Sequence, residues 1–239
     1  MRCLRLFLLM SLAFPCGAET FRLGTVDDHI LADVGSKVLT EAYAKLNINV
    51  EVIRYPALRS LLVANKGQVD GELGRIVGMQ SHYENLIMIP IPVSVLRGTV
   101  FVNDSDPKMK SWEIFGQGRV GILRGLEFSA FLTQGLEVQI ADNPKQLMGL
   151  LTKGRVDMVL AELNQGLETL KDLPGSQIKA LNPPLIAAPM YHYLNKRHQD
   201  LAPKITAALL EMHEAGRIRA INDEFDQKIR RQHKVGTQQ

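Results

Sequence analysis

The chain repeats itself, and the repeat limits what it can fold into. The segment from Tyr55-Pro56 to Lys66-Gly67-Gln68-Val69-Asp70 is matched later by Asn143-Pro144 to Lys153-Gly154-Arg155-Val156-Asp157. In each copy a proline stands about three helical turns before a Lys-Gly-polar-Val-Asp ending. Proline suits the first turn of a helix, where its missing N–H would be unpaired anyway. Asn143 is a good N-cap for the second copy. Apolar residues follow at helical spacing: Leu58, Leu61 and Leu62 in one copy, Leu147, Leu150 and Leu151 in the other. Gly67 and Gly154 end the helices. The apolar runs Val69 to Leu73 and Val156 to Leu160 then read as buried strands.

Each copy also has an upstream strand and helix. Phe21 to Val26 and Arg119 to Leu123 read as strands, as do Val50 to Ile53 and Glu137 to Ile140. Asp33 to Leu46 and Glu127 to Gln134 read as helices between them. Strand, helix, strand, helix, strand in each half predicts a parallel, helix-covered sheet in each half. Val93 to Val102 reads as a long strand passing from the first half to the second. Asp104 to Gly118 reads as a polar loop with a short helix, and Trp112 in it reads as a local packing anchor. Tyr191 to Leu194 resumes strand character, and Asp200 is expected to cap a helix carrying Leu201, Ile205, Ala208, Leu209 and Met212, closed by Gly216. A last helix is expected over Ile218 to Phe225. This C-terminal part is expected to return to the first half. The expected division is a leader at 1–18, a first lobe of 19–97 plus 188–239, and a second lobe of 98–187.

The leader is read from Arg2 and Arg5, the apolar run Leu6 to Phe14, and the small residues Cys16-Gly17-Ala18, with cleavage expected after Ala18. Phe14-Pro15 before Cys16 is unlike a lipidation site, so a free periplasmic protein is expected. Both cysteines, Cys3 and Cys16, leave with the leader, and the remainder has neither disulfide nor thiol nucleophile. Removing two arginines from 28 basic and 25 acidic residues leaves +1. A near-neutral balance argues against nucleic acid as the main partner. The scattered histidines lack metal-ligand spacing, and no metal or cofactor is expected.

Five pieces in order carry a resemblance: Leu23-Gly24-Thr25-Val26, Lys66-Gly67-Gln68-Val69-Asp70-Gly71-Glu72, Gly121-Ile122-Leu123-Arg124-Gly125, Lys153 to Glu162, and Gly216-Arg217-Ile218-Arg219-Ala220-Ile221. The chain resembles the bacterial extracellular solute-binding family 3, whose amino-acid-binding members feed ABC transporters. The resemblance implies an α/β periplasmic binding fold of type II, two lobes with a hinge and a central cleft. It implies a small polar solute (an amino acid or a related carboxylate or amine) held at the strand ends, with an ABC permease or a sensor kinase as partner. It implies that Glu162 holds a ligand amino group and that the Arg124-Gly125 turn meets a carboxylate. The chain departs from the family where its carboxylate-binding arginine stands, which here reads Ser81-His82-Tyr83, and after the first strand, which here reads Asp27-Asp28-His29.

Candidate ligand contacts are Arg75, Glu72, Arg124, Gly125, Glu162, Asp27, His29 and Tyr55. Arg75 ends a strand that should be buried, so it needs an anion: either a ligand or an internal partner, Glu72 or Asp70. Glu72 points either into the cleft or to an inter-lobe salt bridge. Asp27, Asp28 and His29 lie where a cleft would open, or cap the following helix. Tyr55 and Arg59 line the cleft by analogy, or form plain helix surface. Asp70 and Asp157 read as structural. Two other classes compete with a monomeric binder. An enzyme on this fold would use Glu162, Glu72 or His29 as acid or base. An interaction protein that has lost its ligand would have a cleft filled by its own side chains.

Overall fold

The computed structural model describes residues 19–27, 29–78, 82–105 and 114–236. The expected leader, Asp28, Ser81 and Trp112 lie outside them.

The first half runs β1 (Glu19–Val26), α1 (Leu31–Ala44), β2 (Ile48–Tyr55), α2 (Ala57–Asn65) and β3 (Gly71–Arg75). After β4 (Leu86–Asn103), the second half runs β5 (Val120–Leu123), α3 (Glu127–Leu132), β6 (Val138–Ala141), α4 (Pro144–Thr152), β7 (Met158–Glu162), α5 (Leu163–Leu170) and β8 (Ile178–Ala180). Then come β9 (Ile186–Asn195), a 3-10 helix (Lys196–Leu201), α6 (Ala202–Glu214) and α7 (Arg217–Gly236). The two copies of the repeat fold alike. Asn143 caps α4 by accepting from the Gln146 N–H, and Pro144 opens it. Pro56, with φ −52° and ψ 142°, stands just outside α2. Gly67 and Gly154 take φ of 70° and 62°, which a residue with a Cβ adopts only at a cost.

The repeat also shares a tie that involves its aspartates. Asp70 accepts from the Arg22 N–H at 2.7 Å and returns its own N–H to the Arg22 carbonyl at 2.7 Å. Asp157 does the same with Arg119, at 2.8 and 2.9 Å. Each aspartate thus locks the turn after a helix to the opening of the upstream strand.

The sheet corrects the expectation of two separate parallel sheets. Nine strands form one sheet in the order β2-β1-β3-β9-β4-β7-β5-β6, with β8 beside β4. Pairing is parallel within β2-β1-β3 and within β7-β5-β6. It is antiparallel wherever β4 or β9 takes part. β4 has 18 residues, and at roughly 3.3 Å each that is long enough to serve both halves. Its early part, Leu86 to Pro92, escapes a sequence reading because Pro90 and Pro92 interrupt it. The β4–β9 register shifts on either side of Pro92, which has no N–H to give to a ladder.

The core follows the same division. Phe21, Leu23, Val38, Leu39 and Tyr43 pack with Leu194, Ile205, Leu209, Ile218 and Ile221, so α6 and α7 cover the first half. Phe101, Leu147, Leu151, Val156 and Val159 form a separate cluster in the second half. Two C-terminal expectations need correction. Leu201, not Asp200, precedes α6, without a side-chain cap, because Asp200 lies in the 3-10 helix. The last helix runs on from Phe225 to Gly236. Its second half is mostly charged, and the buried Ile229 is too little to make an apolar period.

Candidate functional site

The parallel strands β1 and β3 end side by side, and their carboxyl ends are where an open α/β sheet leaves a crevice. A cavity lies there. The first half lines it with Thr25, His29, Leu31, Arg75 and Ile76, and the second half with Leu126, Glu127 and Phe128. β4 and β9 form its floor through Ser94, Leu96 and Met190. It holds about 40 Å³ of free space, room for about three waters at roughly 10–15 Å³ each. A groove of about 580 Å³ between α1 and α7 is larger, but it draws on the first half alone and its rim includes the Lys37–Glu224 ion pair.

Apolar contact between the halves leaves little space. Leu31, Ile30 and Ile76 belong to the same apolar cluster as Leu126, Phe128, Leu96 and Met190. The Ile30 N–H donates to Gln165 Oε1 of α5 at 2.9 Å, a polar contact across the crevice. Phe128 presses on β4 at Gly98, where a Cβ would stand 2.8 Å from the ring and 2.7 Å from Ile186.

Of the eight expected contacts, Arg75 and His29 line the cavity. Arg75 is buried, and its Nε donates to Glu72 Oε1 at 2.8 Å while its Nη2 donates to the Ala57 carbonyl at 3.0 Å. Glu72 is fully buried, and its other oxygen accepts from Ser60 Oγ at 2.5 Å. Strict alternation would place positions 72 and 75 on opposite faces of the strand. The β3–β9 register shifts between them, which brings both side chains to one side. Burial raises the Glu72 carboxyl above its usual range, against the pull of Arg75 and Ser60. His192 supports this strand from behind. Its Nδ1 must donate to the Glu72 carbonyl, which can only accept, so its Nε2 accepts from the Tyr43 hydroxyl, each at 2.8 Å. Burial, then the Arg75 charge, lowers His29 to about 4, so it stands neutral at pH 7.

The other expected contacts lie elsewhere. Glu72 stands behind Arg75. Arg124 is exposed and paired with Asp142 at 2.7 Å. Gly125 faces α2, where a Cβ would lie 3.1 Å from that of Ala57. Asp27 is exposed, its N–H bound to the Tyr55 carbonyl. Tyr55 packs beside the apolar cluster around Leu61 and Tyr193. Arg59 is exposed.

Glu162 does not line this cavity. It is 1% exposed, and its Oε2 caps α5 by accepting from the Gln165 N–H at 2.8 Å. Its Oε1 has no hydrogen-bond partner among the described residues. Burial raises it to about 7, against the Gln165 N–H and the nearby Arg97 charge. Arg97 in β4 forms a two-pronged pair with Asp226 of α7, which also accepts from Asn164 Nδ2 at 2.8 Å. The acid at the end of the second repeat therefore belongs to a network joining β4, α5 and α7.

Glu127 was missed as a cavity residue. Its place in the first turn of α3 was legible, but its approach to the other half of the molecule was not. Among the described residues, no group of three or more His, Cys, Asp or Glu side chains could hold a metal ion, and no helix is long and apolar enough to cross a membrane.

No family model matches the chain. An uncharacterized protein of Shewanella oneidensis is 25% identical over 187 residues, spanning 75% of this chain and 70% of that one. Among solved structures, an ancestral arginine-binding protein bound to arginine is similar at TM-score 0.73 and 19% identity, over 87% of this chain and 99% of that one. A histidine kinase sensor domain with similarity to periplasmic binding proteins matches at TM-score 0.73 and 14% identity, over 87% and 96%. The GluR0 ligand-binding core in complex with L-glutamate matches at TM-score 0.73 and 14% identity, over 87% and 98%. The chain thus has the type II periplasmic binding fold.

Proposed function

We propose that the protein is a periplasmic solute-binding protein that holds a small polar molecule between its two halves and presents the closed form to a membrane partner. The observation that carries this reading is the position of the cavity. It lies at the carboxyl ends of β1 and β3, is lined from both halves, and rests on β4 and β9, the two strands common to both. A crevice of this kind shuts when its walls move together, and shutting desolvates what it holds. β4 and β9 serve as the hinge, with lobe boundaries near residues 97 and 188. The similar proteins bind arginine or glutamate, and one is a kinase sensor domain, which supports capture of a small polar solute for a permease or a sensor.

Capture rather than turnover is the role, so a bound compound is expected to be recovered intact. A thermal-shift screen of the chain from Glu19 against amino acids, carboxylates, amines and small sugars tests it. A ligand at a hundred times its dissociation constant adds about 2.7 kcal/mol to stability. No shift from any compound, with a cooperatively melting protein, overturns the reading. A second reading then takes its place, an interaction module that binds no solute. The close apolar contact of Leu31 and Ile76 with Leu126 and Phe128 favours it.

A further inference from the structure

We infer that the cleft selects a small ammonium compound over a carboxylate, with Glu127 as the group that meets the positive charge. This rests on the solute-binding reading above and names the ligand's chemistry.

The argument begins with the cations. Among the described residues, an anion entering the cavity would meet one permanently charged cation on its wall, Arg75. The Nε and Nη2 of that guanidinium are already engaged by Glu72 and the Ala57 carbonyl. N–H groups of Arg75 remain for a ligand carboxylate, but its charge is already matched by the buried Glu72, so a carboxylate there adds a second anion to a neutralised pair. His29 carries no charge at neutral pH. Arg124 lies outside the cavity and is paired with Asp142. The start of α3 offers an anion nothing, because Glu127 already stands in its first turn.

The acids give the opposite answer. Glu127 lines the cavity, and among the described residues no cation lies within ion-pair distance of it. Its charge reaches Glu72, Tyr83 and Tyr193, adding to the burial that raises each of them. A half-buried carboxylate with no cation at ion-pair distance, set against an apolar wall, gains most from a cation. The adjacent Phe128 ring and the side chains of Leu126 and Met190 suit a short alkyl body.

The test compares n-propylammonium chloride with sodium propionate and L-alanine at matched ionic strength. Binding is read by calorimetry and by NMR shifts of the His29 and Phe128 rings. The expected result is binding of propylammonium with both rings perturbed, no binding of propionate, and at least a tenfold loss of propylammonium affinity in Glu127→Gln. Glu127 is half-exposed, so this variant is expected to fold, and its melting curve checks that. Propionate or alanine binding where propylammonium does not would overturn the inference and leave the solute-binding reading standing. Propylammonium binding that Glu127→Gln leaves unchanged would also overturn it. If none of the three binds and the broad screen also fails, both fall together. If none of the three binds but the screen finds a non-amine ligand, the inference alone falls.

Discussion

Replacing Glu162 by glutamine removes a titrating group and keeps an oxygen able to cap α5. In the unfolded chain this carboxyl loses its proton near 4.5, and in the folded protein burial holds the proton to about 7. Between those values the folded state carries a proton that the unfolded state lacks. Stability therefore falls as pH rises from 4.5 to about 7, and stops falling above that. Each pH unit of difference is worth about 1.4 kcal/mol, so the whole interval amounts to about 3 kcal/mol. Glu162 is 1% exposed, so solvent screening does not reduce this much. Glutamine has no proton to lose. The variant and the wild type should be similar near pH 4.5, and Glu162→Gln should be the more stable by up to about 3 kcal/mol at pH 8.

Urea unfolding at intervals from pH 4.5 to 8 measures this, with the midpoints compared at constant m. Every other group titrates alike in both proteins, so the difference isolates position 162. A difference that does not change with pH would refute the reasoning. So would a variant less stable than wild type at pH 8, which would mean that Arg97 holds the carboxylate ionised in spite of its burial.

Glu72→Gln should cost about 3–5 kcal/mol in urea unfolding, because it leaves the buried Arg75 guanidinium without its anion, whereas Glu72→Leu combined with Arg75→Leu should cost much less. Equal losses in the two variants would show that the pair is not acting as a unit. Gly98→Ala should cost about 1–3 kcal/mol, because its Cβ must displace Ile186 and Phe128. It should also weaken any cleft ligand by pushing Phe128 into the cavity, and unchanged stability would contradict the contact.

The features legible in the sequence were the local ones. Helix ends at Gly67 and Gly154, the Asn143 cap and the apolar runs of β3 and β7 each depend on a few adjacent residues, and they fold as those residues dictate. One further signal was present and went unread. Arg22-Leu23-Gly24 and Arg119-Val120-Gly121 are as much part of the repeat as the aspartates that bind them. The site was less legible because its contacts depend on what strand alternation hides. Glu72 was open as a partner for Arg75, but the two meet through a register shift, and no periodicity argument anticipates a bulge. Glu127 belongs to the cavity only because the second half folds over the first.

The network around Glu162 carries this one step further. Asp226 comes from the part of α7 that lacks an apolar period, so the helix was expected to end at its neighbour Phe225. In the fold α7 packs on α1 and α6 of the first half and reaches α5 of the second. Asn164 holds Asp226 at one point, and Lys171 holds Gln232 at 2.7 Å further along. Any separation of the two halves must break these bonds or carry α7 with the second half, away from Ile205, Leu209 and the rest of the first core. The bonds to Asn164 and Lys171 involve few atoms, and the Lys171 bond is exposed to water, while the apolar seat of α7 is larger. Opening should therefore release α5 from α7 and leave Asp226 paired with Arg97 on β4, so that Asn164 and Glu162, both nearly fully buried here, become the groups that water reaches first.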